Sequence, residues 1–279
     1  MSHTAEEILA QIDDLPSLPA LVMDVLNSID DDSIPLEQIA HKVQLDSALT
    51  AKTLRLANSA CFSRQVKVST LSHALSFLGM STTKNLIIAA ALTGCFPQGL
   101  LRTFDYKAFW RHSISSAVCA RAIARHLRFN QDYAFTAGLL HDIGRLALAS
   151  QYPEEYARVV QWRAEHDSHW IAAEQACLGL DHVAAGVALA KRWHLSGTLQ
   201  LAIAGHHLPD APGAGFLAAI VHLADCISHG LDLCQVDDEH VPPVSIIAWN
   251  ALGLSDEALH QIFAETEMQT AEVSRILLG

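Results

Sequence analysis

Apolar positions recur at helical spacing along almost the whole chain. Residues at i, i+3, i+4 and i+7 mark one face of a helix, whereas strict alternation marks a half-buried strand. Alternating runs are scarce, and Ala and Leu dominate the periodic segments. Between breaks these segments run roughly 10–20 residues, the ordinary length of a globular helix. The pattern predicts helices over Leu18–Ser28, Pro35–Lys42, Ser47–Asn58, Leu71–Leu78, Ser113–Leu127 and Val183–Trp193, among others. Asp46, Ser81, Asp105, Asp132, Asp181 and Ser255 stand where N-caps belong, because a short side-chain acceptor satisfies the free N–H groups of a first turn. Gly79, Gly94, Gly179, Gly230 and Gly253 read as helix stops. Ile34-Pro35-Leu36-Glu37 reads as a start with proline at the first helical position. The expected fold class is all-α.

A Gly/Pro break at Gly94-Cys95-Phe96-Pro97-Gln98-Gly99 divides the pattern. It predicts an N-terminal helical part over 1–100, a histidine-dense core over 101–230, and a C-terminal helical extension over 231–279. In the extension, Val241-Pro242-Pro243 leads into two or three further helices. The break is short, so the units are expected to pack as one body. There is no low-complexity segment and no fixed-period repeat.

Composition narrows the class. With 279 residues, 51% hydrophobic and only 17% charged, the chain can bury a large core, and disorder is excluded. A formal charge of −12 repels phosphate backbones, so no nucleic acid is expected as the main partner. The longest strongly apolar stretch, Leu86 to Leu92, is far short of the ~20 residues that span a bilayer. The polar, acidic start Met1-Ser2-His3-Thr4-Ala5-Glu6-Glu7 is unlike a signal peptide. The expectation is a cytoplasmic protein with no membrane contact. The six cysteines form no C-x-x-C pair and read as reduced, buried thiols.

Histidine is the unusual residue: 16 of them, against 18 Lys and Arg together. Histidine is the commonest metal ligand and the proton carrier of neutral pH. Eight of them (His3, His41, His73, His126, His166, His169, His240, His260) sit in polar or helix-surface contexts and call for no function. His194, His222 and His229 are undecided neighbours of helix ends or of the candidate site. His141-Asp142 follows Leu139-Leu140 inside a helical pattern. Neighbouring helical side chains diverge by ~100°, so the pair can share one ion or, with Asp142 between them, two. The bland alternative is a helix break with a hydrogen-bonded core histidine. His206-His207 ends an apolar helix, where a buried pair is expensive without partners and an exposed pair is favoured by the helix dipole. Asp225 is the one acid in a strongly apolar helix and needs a cation, a metal or a hydrogen bond. His222, one turn earlier, is the ready partner. His112 and His182 fall at expected helix N-terminal ends, where the neutral, metal-binding imidazole is favoured. Together these five histidines and two aspartates form a nitrogen and oxygen ligand set suited to first-row metals.

The order His112, His141-Asp142, His182, His206-His207, Asp225 resembles the HD superfamily of metal-dependent phosphohydrolases, with its HD-GYP branch and the related HDOD domain (HD-related output domain). The N-terminal part points to HDOD. Leu15-Pro16-Ser17-Leu18-Pro19, Leu45-Asp46, the string Leu54-Arg55-Leu56-Ala57-Asn58-Ser59-Ala60, Ala74 with Leu78-Gly79, and Gly138-Leu139-Leu140-His141-Asp142-Ile143-Gly144 follow in that family's order. The resemblance covers about Leu15 to Ile227. It implies an N-terminal helical subdomain packed on an HD-type helical core, and a role in bacterial signal transduction. It also implies that His112, His141, Asp142, His182, His206, His207 and Asp225 are metal ligands. Asp142 would bridge one or two divalent first-row ions, with Fe or Mn favoured over Zn or Ni. In the hydrolase form of the family Asp142 and Arg145 serve catalysis, Arg145 by stabilising charge on the phosphate. Expected partners are a signalling protein or a small nucleotide ligand, and the alternative activity is hydrolysis of a nucleotide or cyclic dinucleotide phosphoester. Three positions depart from pattern. Leu208-Pro209-Asp210-Ala211-Pro212-Gly213 replaces the Gly-Tyr-Pro motif of the HD-GYP enzymes, Arg145 replaces their lysine, and Ser47 replaces the proline usual after Asp46 in HDOD domains.

Overall fold

The helical periodicity becomes sixteen helices among the described residues of this computed structural model, which are 5–12, 18, 20–30, 36–59, 67–95, 104–236 and 240–279. First come α1 (Ala5–Ile12), α2 (Ala20–Asp30), α3 (Leu36–Gln44), α4 (Ser47–Ala57), α5 (Leu71–Leu78) and α6 (Met80–Cys95). The middle holds α7 (Tyr106–His126), α8 (Gln131–Leu140), α9 (Ile143–Gln151), α10 (Pro153–His166), α11 (Trp170–Leu178), α12 (His182–Arg192), α13 (Gly197–Gly205) and α14 (Phe216–Gly230). Two helices follow, α15 (Ile246–Leu252) and α16 (Asp256–Leu278). No strand occurs among the described residues. The proline start at Pro35, Leu15-Pro16 and Pro19 of the Leu-Pro opening, and most of the break after Cys95 lie outside them.

Asp46, Asp105, Asp181 and Ser255 cap their helices, accepting from the N–H groups of Ala48 and Leu49, Ala108, Ala184 and Ala258 respectively. Two expected caps move. Asn130 caps α8 and leaves Asp132 in its first turn. Helix α6 starts directly after Gly79, so Ser81 lies inside it and donates its hydroxyl to Asp132 instead. Gly79, Gly179 and Gly253 end helices with φ of 81°, 73° and 56°, a region costly for any residue with a Cβ. Gly94 and Gly230 stand within the last turns and not just past them: Gly94 is the next-to-last residue of α6 and Gly230 the last residue of α14.

Helix α7 is the axis of the molecule. Every residue from Ser113 to Ala124 is buried, as expected of a helix surrounded on all sides. Helices α8, α14 and α16 pack directly on it. Close approach depends on small residues. A Cβ on Gly138 of α8 would stand 2.7 Å from the Ser116 carbonyl oxygen, and one on Gly144 of α9 only 1.9 Å from the His182 carbonyl oxygen. Any larger residue at either position must push a helix away. The N-terminal helices close onto this core: α2, α4 and α5 pack on α6, α6 on α8, and α1 on α9 and α12. Helix α16 lies along α7, where Arg125 pairs with Glu265, and also meets α4 and α6. One continuous apolar cluster therefore runs from Ile8 to Leu278. Burial of each large side chain in it, such as Trp110 or Ile114, contributes about 1.5–3 kcal/mol.

Candidate metal centre

Five separate pieces of backbone deliver the candidate ligands to one cluster. Helix α7 presents His112 from its second turn. The expected helix start at Ser113 is wrong, because the Asp105 cap begins the helix at Tyr106; packing of α7, and not a helix N-terminus, places this imidazole. Helix α8 ends at His141, and Asp142 stands at the start of α9 without capping it, so its carboxylate is left to face the cluster. His182 is the first residue of α12. His206 caps the end of α13, and His207 follows. Asp225 comes from the middle of α14.

His112 Nε2 lies 3.0 Å from Asp225 Oδ1 and 3.1 Å from His141 Nε2. Asp142 Oδ1 is 3.6 Å from His141 Nε2, 3.3 Å from His182 Nε2 and 3.5 Å from His206 Nε2. His182 Nε2 and His207 Nε2 are 3.0 Å apart. The cluster has two lobes that share Asp142. One joins Asp142, His182, His206 and His207; the other joins His112, His141 and Asp142, with Asp225 against it.

These groups fit a divalent metal. Asp142 Oδ1, Asp225 Oδ1 and His206 Nε2 are buried and make no hydrogen bond, although nitrogen or oxygen neighbours stand close by. Lone pairs that converge without a proton between them are costly in a dry interior. Ligand atoms about 2.1 Å from one ion at near-right angles are about 3 Å apart, the spacing found here. The far nitrogens are also fixed. His141 Nδ1 donates to the Gly138 carbonyl at 2.8 Å, His206 Nδ1 to the Ile203 carbonyl at 2.7 Å, and His182 Nδ1 to Glu174 Oε2 at 2.6 Å. His112 Nδ1 faces Cys234 Sγ at 3.4 Å. Such contacts select the tautomer whose Nε2 lone pair points at a metal.

Three further contributors carry no assignment from sequence, and a fourth, His229, is undecided there. His229 places Nε2 3.2 Å from Asp225 Oδ1, and its ring lies 4.3 Å from that of His112. Its spacing four residues after Asp225 on one helix was the available signal. Glu174 is the one acid in α11 and is fully buried. Tyr156 donates to Glu174 Oε1 at 3.0 Å. Cys234 carries no sequence signal beyond its burial. His222, the expected partner of Asp225, turns elsewhere: Nδ1 donates to the His206 carbonyl at 2.8 Å and Nε2 accepts from the Ser245 N–H at 3.0 Å.

Electrostatics divides the histidines. Burial, with His229 nearby, lowers His112 to about 4, and burial with His206 and His182 lowers His207 to about 2. Burial also lowers His206. All three are held neutral, the form that binds metal. Burial opposes charge on His182 too, but Glu174 and Asp142 outweigh it and raise this imidazole to about 9. Burial likewise disfavours the Asp142 and Asp225 carboxylates, yet the surrounding imidazoles hold both well below the usual range.

The cluster floors a cavity of about 400 Å³. Arg145 lies at its edge, donating to Asp142 Oδ2 at 3.2 Å, with its guanidinium carbon 4.1 Å from the centre of the Trp170 ring. Phe104, Phe109, Val160 and Ile171 form apolar wall. The site thus joins a nitrogen and oxygen nest for cations, a fixed guanidinium, and an apolar chamber for a small ligand.

The HDOD domain family profile matches residues 15–209, most of the chain. The chain belongs to the HDOD family. Among solved structures, an HDOD domain protein of unknown function from Geobacter sulfurreducens is 26% identical, with a TM-score of 0.86 over 99% of this chain and 97% of that one. A Shewanella amazonensis SB2B protein whose name carries a provisional phosphohydrolase assignment is 28% identical, with a TM-score of 0.80 over 97% of each chain. Among curated proteins, an uncharacterized protein of Treponema pallidum (strain Nichols) is 28% identical over 75% of this chain and 40% of its own length. Ribonuclease Y of Lactobacillus helveticus (strain DPC 4571) is 32% identical over 42% of this chain and 16% of its own. This HDOD chain therefore spans less than half the length of these curated relatives. The all-α, multi-helical expectation holds. No helix among the described residues is long and apolar enough to cross a membrane.

Proposed function

We propose that this HDOD protein is a bacterial signalling or regulatory module that binds one or two first-row divalent ions at the His/Asp cluster and there recognises a small phosphoester ligand. The observation that carries the reading is the trio of buried, unbonded acceptors in the cluster: Asp142 Oδ1 and His206 Nε2, 3.5 Å apart in one lobe, and Asp225 Oδ1, 3.0 Å from His112 Nε2 in the other. His112, His141, Asp142 and Asp225 would hold one ion, and Asp142, His182, His206 and His207 the other. Imidazole and carboxylate ligands suit Fe or Mn, and also Zn or Ni. A divalent ion there supplies Lewis-acid polarisation of phosphoryl oxygens and acidification of water. The chain's own contributions are Arg145, a fork-shaped donor for phosphate oxygens, and apolar walls that exclude water from the chamber. The proposed setting is the cytoplasm, and the proposed output is a contact with another signalling protein.

A second reading is phosphoester hydrolysis, with Asp142 and Arg145 as its catalytic residues. It is favoured by the open cavity beside the ligand cluster, which leaves room for a substrate. Against a cyclic-dinucleotide substrate stand the Leu208–Gly213 loop in place of Gly-Tyr-Pro and arginine in place of lysine at 145.

Elemental analysis of protein purified anaerobically without added metal tests the proposal, with His141→Ala and Asp142→Ala as controls. One or two first-row ions per wild-type chain, lost in both variants, is the expected result; metal-free wild type overturns it. A nucleotide and phosphodiester screen on the loaded protein then separates the two readings. Turnover establishes the hydrolase, and binding without turnover establishes the module.

A further inference from the structure

A second cavity, of about 350 Å³, adjoins the same two chain segments that wall the metal chamber. On α7, Lys107 and Arg111 line this outer cavity, whereas Ala108, Phe109 and His112 line the chamber. After α14, Asp232, Leu233 and Gln235 line the outer cavity, whereas Cys234 and Val236 line the chamber. Helix α16 completes the outer cavity with Glu267, Thr270, Ala271 and Ser274. The two linings share no residue, yet the residues of each alternate along shared backbone.

The outer cavity carries charges of both signs that do not satisfy one another. Lys107 and Arg111 stand one turn apart on α7, a like-charge spacing that a helix disfavours. Among the described residues, the side chains of Lys107, Arg111, Asp232 and Glu267 make no ion pair and no hydrogen bond. Arg275, also in the lining, differs, with Glu272 at 3.9 Å. Thr270 and Ser274, one turn apart on α16, are buried, and neither hydroxyl oxygen has a hydrogen-bond partner among the described residues. Unpaired hydroxyls at a cavity wall favour a ligand that offers them donors or acceptors. Asp232 closes α14 in the left-handed region at φ 51°, with its N–H on the His229 carbonyl at 3.0 Å and the Leu233 N–H on the Ser228 carbonyl at 3.2 Å. Glycine is usual at that position, so an aspartate held there points to a role for its side chain. Two residues on, Cys234 Sγ meets His112 Nδ1 at 3.4 Å. One short segment therefore ties Asp232 to His229 and to His112.

We propose that the outer cavity is an effector site for a zwitterionic small molecule of the amino-acid class, coupled to the metal centre through residues 232–236. The carboxylate meets Arg111 and Lys107, the ammonium meets Asp232 and Glu267, and the body of the ligand packs on Leu233, Ala271 and Leu278. A simple anion leaves the two acids beside it, and a simple cation meets the two bases, so a molecule that carries both signs suits the set best. Binding that draws Asp232 to the ammonium shifts the segment that holds Cys234 against His112. The ligand site stands apart from the metal-centre reading above; its coupling rests on that reading.

Calorimetric titration of the full chain with the standard amino acids tests the site, with inorganic phosphate as a simple anion. For L-leucine the matched probes are 4-methylpentanoate, which lacks the ammonium, and 3-methylbutylamine, which lacks the carboxylate; other amino acids are paired in the same way. At least one amino acid is expected to bind about ten-fold or more tighter than either of its own analogues, as a charge-assisted bond predicts. Arg111→Gln should weaken the amino acid and its carboxylate analogue but not the amine, and Glu267→Gln should weaken the amino acid and the amine but not the carboxylate. Lys107→Gln, at an exposed position, replaces Arg111→Gln if that variant does not fold. Failure of every amino acid to bind, an analogue that binds as tightly as its parent, or tightest binding of phosphate overturns the site. Titration of the divalent metal with and without the saturating amino acid tests the coupling. Metal affinity should change about five-fold or more, and the metal should change amino-acid affinity by the same factor. Unchanged metal affinity with the amino acid bound overturns the coupling, and a chain that binds the amino acid but no metal overturns the metal-centre reading and the coupling together.

Discussion

Glu174 Oε2 accepts twice from His182, from Nδ1 at 2.6 Å and from the backbone N–H at 2.8 Å. The two contacts lock both the start of α12 and the tautomer of its first side chain. Glu174 in turn accepts from the Tyr156 hydroxyl at 3.0 Å, and Arg145 Nε reaches that hydroxyl at 3.5 Å. Arg145 also holds Asp142, whose Oδ1 faces His182 Nε2 at 3.3 Å. Asp142, Arg145, Tyr156, Glu174 and His182 thus form a closed buried circuit around one edge of the candidate metal centre.

The raised His182 makes metal uptake and stability depend on pH. In the metal-free chain its folded value, about 9, exceeds the ordinary 6.5. Its charged form therefore contributes stability that is fully present below 6.5 and is lost as pH rises through 9. At pH 7.5 a metal must displace that proton. Calorimetry in buffers of different ionisation enthalpy should record proton release on metal binding at pH 7.5. Glu174→Gln should diminish the release and weaken metal affinity by about 10- to 100-fold. Unchanged release in Glu174→Gln would show that Glu174 does not hold the proton on His182.

The two histidines of α14 are expected to separate cleanly. His222→Ala leaves the Ser245 N–H and the His206 carbonyl without their partner and should cost about 1–3 kcal/mol in denaturant unfolding, with metal content unchanged. His229→Ala removes a group 3.2 Å from Asp225 and should change metal content or affinity. The opposite pattern would return His222 to the site.

Gly144→Ala tests how the ligands are brought together. The added methyl collides with the His182 carbonyl oxygen, so α9 and α12 must move apart. Overpacking of this kind costs about 1–3 kcal/mol or more. Because Asp142 starts one helix and His182 the other, metal stoichiometry should fall along with the thermal midpoint. A variant with full metal content would show that the centre tolerates a shift of α12.

Arg145→Lys keeps the charge but not the shape. Lysine can pair with Asp142, yet it cannot also meet the Tyr156 hydroxyl and lie flat on Trp170. The expected outcome is unchanged metal content and a stability loss of about 1–3 kcal/mol, read by chemical denaturation of wild type and variant in parallel.

Much of the site was legible along the chain because its members carry local anomalies. An acid alone in an apolar helix, two adjacent histidines after an apolar helix, and His141-Asp142 after two leucines each violate the burial rule for polar groups. The seven candidate ligands come from five backbone segments, and the structure brings all seven together. The partners that orient them were far less visible. Glu174 and Cys234 matter only because α11 and the chain after α14 fold back beside His182 and His112. The choice between His222 and His229 turned on the rotation of α14, since both lie one turn from Asp225 and periodicity treats them alike.

The chain by itself determined the all-helical class, most helix starts and stops, and the identity of the candidate ligands, because capping and apolar periodicity act within a few residues and a buried charge declares itself locally. Tertiary structure decided where His112 sits in its helix, which imidazole serves Asp225, which histidines are neutral, and how Arg145 and Arg163 come to share one indole. Those outcomes depend on distances between segments tens of residues apart, set by how closely Gly138 and Gly144 let the helices approach, and no local pattern encodes them.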